Sequence, residues 1–221
     1  MTSSKSVSVE TISRADALRL LPKRDETAHK WGVGGLVIIG GAPGYIGAPA
    51  LAAMSAGRSG AGIVSLAVPR SSVGVTAALV PEAVFLPLPD TDSSHGVQKA
   101  IELIRPHVEK SRALVVGPGL SRDEMATMLL EALFGNAPRT AARSLGFGAQ
   151  TAKVASEPED PVIGGDTHAV VDADALHWLA ERESWWAQVR PFSLILTPHV
   201  GELAALTGAD SREILNDPAA S

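Results

Sequence analysis

The sequence predicts an α/β protein: a three-layer α/β/α sandwich built on a mostly parallel sheet. Three observations predict it. Short β-branched apolar runs alternate with helical stretches along the chain. The runs are apolar throughout rather than alternating, the pattern of strands buried on both faces. At 221 residues the chain is long enough for one self-sufficient core, and we read residues 1–221 as a single domain.

The elements follow in order. Gly35–Gly40 (GLVIIG) reads as a buried strand, and Ala48–Gly57 (APALAAMSAG) as a helix of small residues. Ile63–Val68 is a strand, Ser71–Leu79 a weak helix, and Ala83–Pro87 a short strand. His95–Lys110 places Val97, Ile101, Ile104 and Val108 at helical spacing. Strands at Ala113–Val116, His168–Val171 and Phe192–Leu196 are followed by helices at Asp123–Phe134, Ala173–Glu183 and Val200–Thr207. Ser211–Leu215 begins a last helix. Residues 135–166 break this rhythm with about thirty residues of no clear period. They read as a flexible surface insertion, with a substrate lid as the alternative.

Composition narrows the function. There are 24 acidic and 19 basic residues, a net charge of −5, and no Lys/Arg run. That argues against nucleic-acid and anionic-membrane partners. With no Cys there is no disulfide framework and no thiolate metal site. No apolar run reaches the roughly 18–20 residues a membrane span needs. The first ten residues lack the apolar segment of a secretory signal. A cytoplasmic location is expected.

In an open parallel sheet, ligands bind where strands end. The first strand is followed by Gly40–Gly47 (GGAPGYIG), the fourth by Gly117-Pro118-Gly119, the fifth by Asp172-Ala173-Asp174, and the sixth by Thr197-Pro198-His199. The glycine-rich loop is either a tight turn or a backbone cradle for an anion, through Gly41 and Gly44. It lacks the Gly-Lys-Ser/Thr of a P-loop. Gly117 and Gly119 either make a simple turn or admit a flat ligand. Asp172 and Asp174 either cap the next helix or bind a ligand hydroxyl or metal-bound water. Either Thr197 or His199 starts a helix with Glu202 in its first turn, or His199 carries a proton at the cleft or contacts a ligand. Lys30 precedes the first strand and has the reach to meet an anion. His29, His95, His107, His168 and His177 read as solvated or structural. No side-chain cluster has metal-ligand spacing, and there is no nucleophile elbow.

Four blocks together carry a family resemblance. They are His29-Lys30 with Gly40–Ala53 (GGAPGYIGAPALAA) and Arg58–Pro69 (RSGAGIVSLAVP); Val115–Glu124 (VVGPGLSRDE); Val170–Leu176 (VVDADAL); and Leu196–Gly208 (LTPHVGELAALTG). The chain resembles the ADP/ATP-dependent (S)-NAD(P)H-hydrate dehydratases, of the ribokinase-like superfamily. The resemblance implies repair of hydrated NADH or NADPH by phosphorylation of the C6 hydroxyl and loss of phosphate. It implies ADP or ATP as cosubstrate, Mg2+, and a homo-oligomer, a tetramer in the family. It implies substrate contacts at Ala48, Gly119 and His199, with Asp172 and Asp174 as cleft acids beside Gly117. Val200 stands where the family often has Pro.

The family's downstream Gly-Thr/Ser-Gly-Asp segment, its anion hole and base, has no match after His199. A chain lacking its last third, inactive by itself and prone to associate, is the expectation. A small-molecule kinase acting on a vitamin alcohol, or a non-catalytic nucleotide-binding remnant, is the alternative.

Overall fold

The computed structural model describes residues 10–21, 27–135, 161–163 and 167–218. Most of the proposed 135–166 insertion therefore lies outside the described residues. Its end is inside them: Val162 and Ile163 are buried, and the Ile163 N–H donates to the Leu133 carbonyl at 2.8 Å.

Among the described residues, six parallel strands form one sheet: β1 (Gly35–Ile39), β2 (Ile63–Pro69), β3 (Val84–Leu88), β4 (Ala113–Val116), β5 (Ala169–Val171) and β6 (Leu194–Leu196). Their spatial order is β3-β2-β1-β4-β5-β6. The chain builds outward from β1 in one direction, returns, and builds outward again from β4. The switch point lies between β1 and β4.

The helices are α1 (Arg14–Leu20), α2 (Lys30–Val33), α3 (Gly47–Arg58), α4 (Val73–Leu79), α5 (Ser94–Val108), α6 (Glu124–Leu133), α7 (Asp174–Ala180), α8 (Val200–Thr207) and α9 (Ser211–Asn216). Strand alternation sends Ile38, Val64, Leu66 and Val68 to one face, where Ala50, Ala53 and Val80 cover them. Val37, Ile39, Leu114 and Val116 point to the other face, under Ile104, Leu129, Leu176 and their neighbours. The layers are thus α3 and α4, the sheet, and α5 to α7. Each buried Leu or Ile contributes about 1.5–3 kcal/mol.

The small side chains have a visible use. Ala50 and Ala53 let α3 sit close on β1 and β2. At β6 the cover is one-sided. Leu194 and Leu196 pack on the α7 side, while Ile195 points the other way and is 63% exposed. Helix α8 packs on α7, and α9 on α8.

Two short helices, α1 and α2, escape the periodicity argument. Helix α1 has no buried residue and holds itself by a capping box. The Ser13 hydroxyl bonds Asp16 Oδ2 at 2.5 Å, and the Ser13 N–H at 3.0 Å. Arg19 also bonds Asp16. The Ser13 hydroxyl, the Ser13 N–H and the Arg19 guanidinium, in that order, hold the Asp16 carboxyl below the usual aspartate range.

A depressed carboxyl stabilises its helix above the unfolded value and loses that contribution as pH falls through the folded value. NMR titration should therefore show Asp16 protonating below an ordinary aspartate, with the α1 amide shifts collapsing in that same window. Ser13→Ala removes the hydroxyl but keeps the backbone N–H and Arg19, so it should raise the titration only part of the way to the ordinary range. An unchanged Asp16 titration in Ser13→Ala would contradict the capping box.

Candidate functional site

Every strand from the centre to the β6 edge delivers a loop to the same end of the sheet. The ladder runs one residue past each strand. Gly117 N–H donates to Ile39 O at 3.1 Å, Asp172 N–H to Val116 O at 3.0 Å, and Thr197 N–H to Val171 O at 3.3 Å. The loops then meet each other directly, with Gly41 N–H donating to Pro118 O at 3.0 Å.

The glycines divide into two kinds. A β-carbon on Gly40 would overlap the Pro118 carbonyl oxygen. On Gly117 it would overlap the Asp172 carbonyl, and on Gly119 the Tyr45 carbonyl. Gly117 (φ 117°) and Gly119 (φ 63°) also occupy backbone conformations that L side chains rarely adopt. The loops after β1, β4 and β5 are therefore packed backbone on backbone, and these glycines are required by that packing. Gly41 (φ 77°) faces Pro49 and Val68. Gly44 (φ 89°) and Gly47 face open space. Beside them, exposed Ala48 sits in the first turn of α3, whose N-cap Ile46 offers no side-chain acceptor. An uncapped N-terminus of a twelve-residue helix favours an anion.

The two acids do not cap α7. Ala173 takes the N-cap position, with φ 49° and ψ −122°, a strained backbone for a residue with a side chain. Asp172 Oδ1 accepts the Thr197 hydroxyl at 2.7 Å, tying β5 to β6. Asp174 Oδ2 accepts the Ser121 N–H at 2.9 Å, and its Oδ1 lies 3.5 Å from Arg122 Nε, tying β5 to the loop after β4. Ser121 and Arg122 are partners that sequence reasoning does not single out, and Thr197 enters it only as a candidate helix start beside His199. Arg122 is legible only as part of the Val115–Glu124 block.

His199 fulfils the helix-start alternative. It is the N-cap of α8, its Nδ1 accepting the N–H groups of Gly201 at 3.0 Å and Glu202 at 3.2 Å. The proton of its neutral ring then sits on Nε2. Buried Glu202 closes the box by accepting the His199 N–H at 2.9 Å. Glu202 Oε1 lies 3.4 Å from His199 Nε2 and 3.9 Å from His177 Nε2. The His199 side chain is still 70% exposed, so most of the ring's surface stays open.

Lys30 is not brought to this site. It opens α2 ahead of β1, and its carbonyl borders Gly62 at the start of β2. That is the opposite end of the sheet from Gly41 and Gly44. Five residues of strand, about 16 Å, separate the two ends. Position before the first strand, in a parallel sheet, is what rules out the anion contact.

A recess of about 310 Å³ opens beyond the β1 loop, where β2 and β3 end. Gly41, Pro69, Leu88, Leu120 and Leu129 line it. Two of its three acids are committed: Asp90 accepts the Ser71 N–H and hydroxyl, and Asp123 caps α6 through the Ala126 N–H.

Residues 36–218 match the model of the NAD(P)H-hydrate dehydratase family. The chain belongs to that family. The bifunctional NAD(P)H-hydrate repair enzyme Nnr of Moorella thermoacetica is 33% identical, over 89% of this chain and 32% of its own. That of Salinibacter ruber is 35% identical, over 86% and 30%. The ATP-dependent (S)-NAD(P)H-hydrate dehydratase of Aedes aegypti is 27% identical, over 90% and 50%. The chain thus spans about a third of the bifunctional relatives and half of the insect one. Among solved structures, the Bacillus subtilis ADP/ATP-dependent NAD(P)H-hydrate dehydratase, co-crystallised with ATP/Mg2+, superposes with a TM-score of 0.64. It is 24% identical, over 94% of this chain and 59% of that one. A ribokinase-like protein of Enterococcus faecalis gives 0.62. The fold of this dehydratase-family chain is the ribokinase-like α/β fold.

Two predictions separate packing from ligand roles in this dehydratase-family site. Gly117→Ala should cost more than about 2 kcal/mol of unfolding free energy, because both its φ and its contact with Asp172 are lost. Gly44→Ala, strained but in open space, should cost about 1 kcal/mol. Urea unfolding measures both, and equal losses would refute the packing role. His199→Ala should cost about 1 kcal/mol through the lost cap, whereas His199→Asn should keep the cap. If His199→Asn destabilises as much as His199→Ala, the ring does not cap α8.

Proposed function

We propose that this stretch of chain recognises hydrated NADH or NADPH for ADP- or ATP-dependent dehydration. The observation that supports the reading best is the convergence of the loops after β1, β4, β5 and β6 around the switch point, where such a sheet binds ligands. The family's recognition blocks are the same loops.

The proposed roles follow from local chemistry. Ala48, with open Gly44, offers backbone N–H groups at the α3 N-terminus to a phosphate. Gly119, held against Tyr45, gives the hydrate a flat backbone shelf beside Gly117. Asp172 and Asp174 are the acceptors available to a substrate hydroxyl. His199, fixed by its capping bonds, offers a ring face whose orientation does not wander. The substrate is a small molecule, and a homo-oligomer, as the resemblance implies, is expected of the whole protein. No helix among the described residues is long and apolar enough to cross a membrane.

The described residues do not fit the cosubstrate's reacting end. After His199 they form α8 and α9. Gly208 is the α8 C-cap and Asp210 the α9 N-cap. Neither belongs to a glycine-rich anion hole with a base. Nor do the described residues include a group of three or more His, Asp or Glu able to hold Mg2+. Phosphoryl transfer is therefore not assigned to them; recognition of the hydrate is.

Calorimetry with the purified S and R hydrates and with NADH tests this reading. The S hydrate should bind roughly tenfold more tightly than NADH, the worth of one hydrogen bond from its extra hydroxyl to a carboxylate. Supplying ADP or ATP with Mg2+ and following NADH absorbance reads turnover. Equal affinities for hydrate and NADH would defeat the proposal. Phosphorylation of hydroxyethylthiazole would replace it with the vitamin-alcohol kinase reading.

A further inference from the structure

We propose that Arg122 is a specificity-determining residue of this site, taking a phosphate group of the dinucleotide through its two Nη groups. The inference rests on the dinucleotide reading above and adds a residue that the family blocks do not single out for a role.

The argument begins with how Arg122 is held. Its Nε lies 3.5 Å from Asp174 Oδ1. The other oxygen of that carboxylate accepts the N–H of Ser121, the residue before it. Ser121 itself has φ 75°, a left-handed turn made at the point where the chain leaves Gly119 for α6. One carboxylate thus accepts from the backbone bend and lies within ion-pair distance of the guanidinium's Nε. Among the described residues neither Nη has a hydrogen-bond or ion-pair partner, and the side chain is 59% exposed. The neighbouring acid, Asp123, is committed to the Ala126 N–H. A guanidinium oriented through Nε keeps its paired Nη edge for bidentate recognition of phosphate.

Charge gives the second argument. Among the described residues, the loops 40–46, 117–123, 172–173 and 197–199 carry Asp123 and Asp172, with Asp174 at the start of α7 and Glu202 beneath His199. Arg122 is their one permanent cation. Lys30 lies at the other end of the sheet, and Arg70 follows β2, beyond the β1 loop. A polyphosphate ligand meeting those carboxylates needs a compensating cation, and Arg122 is the one in place. A merely structural Arg122 would pin Asp174 and leave phosphate binding unchanged.

The test uses this chain as it is, with calorimetric titration by inorganic pyrophosphate, NAD+, NADP+ and nicotinamide riboside at low and high salt. Arg122→Gln should weaken the phosphate-bearing ligands about tenfold and flatten their salt dependence. It should leave the riboside alone. Arg122→Lys keeps the charge but not the fork, and should recover part of the loss. Because the side chain is exposed, Arg122→Gln should keep the wild-type melting temperature; a lowered one with unchanged affinities assigns Arg122 to Asp174 and overturns the proposal. Loss shared by pyrophosphate and both dinucleotides identifies the bridging phosphates, and loss confined to NADP+ identifies the 2′-phosphate; either supports the inference. Dinucleotides that bind wild type and Arg122→Gln alike sink the inference and spare the functional reading. Pyrophosphate binding that needs Arg122, without dinucleotide binding, overturns the dinucleotide reading and with it the assignment of Arg122 to a dinucleotide phosphate. A wild-type chain that binds none of the four ligands refutes both.

Discussion

Three backbone contacts organise the end of the sheet that carries the site. Gly40 lies against Pro118, Gly119 against Tyr45, and Gly117 against Asp172. Each brings a carbonyl oxygen into space that any β-carbon would fill. Through them the loops after β1, β4 and β5 become one rigid platform, although they are separated by up to 132 residues of chain, from Gly40 to Asp172. The alternative, longer loops reaching each other by side chains, would cost rotamer entropy at every contact. Here the cost is confined to positions where glycine is tolerated.

On that platform the polar residues act as cross-ties. Asp172 reaches Thr197 on the next strand's loop, and Asp174 reaches back to Ser121 and Arg122. His199 and Glu202 fasten the start of α8 to each other. Most of the polar groups at the site therefore have a structural duty, and a ligand meets donors and acceptors already aimed. Such preorganisation lowers the cost of ordering the site when it binds. Ala173 carries the opposite sign: its φ of 49° is strain kept at the bend between the two acids.

The sheet is unevenly covered. Both faces of β1 and β2 are buried, whereas Ile195 of β6 and nearby Phe192 are exposed among the described residues. Apolar surface at an edge strand is a place where further protein is favoured to pack. The chain spans 59% of the Bacillus subtilis dehydratase, with the fold of that part preserved.

Much of this was legible in the residues. The six strands and the helices after them follow from apolar runs, and most boundaries move by one or two residues, as fraying ends do. The β-branched runs demanded burial on both faces, and only a helix-covered parallel sheet provides it. The sites were legible as strand-end motifs, but their duties were not. That His199 caps α8 while Asp172 and Asp174 do not cap α7 depends on which backbone N–H groups each side chain meets. Lys30 precedes its strand and so belongs to the far end, a consequence of strand direction in space rather than of distance along the chain. Arg122 gained meaning only when Asp174, 52 residues away, was found beside it. Sequence alone determined the six strands and the helices that follow them, the fold class and the family, because hydrophobic period and local motifs are properties of neighbouring residues. The tertiary structure alone decided which polar atoms pair, because hydrogen bonds and charge pairs form between residues that only the folded sheet brings within reach.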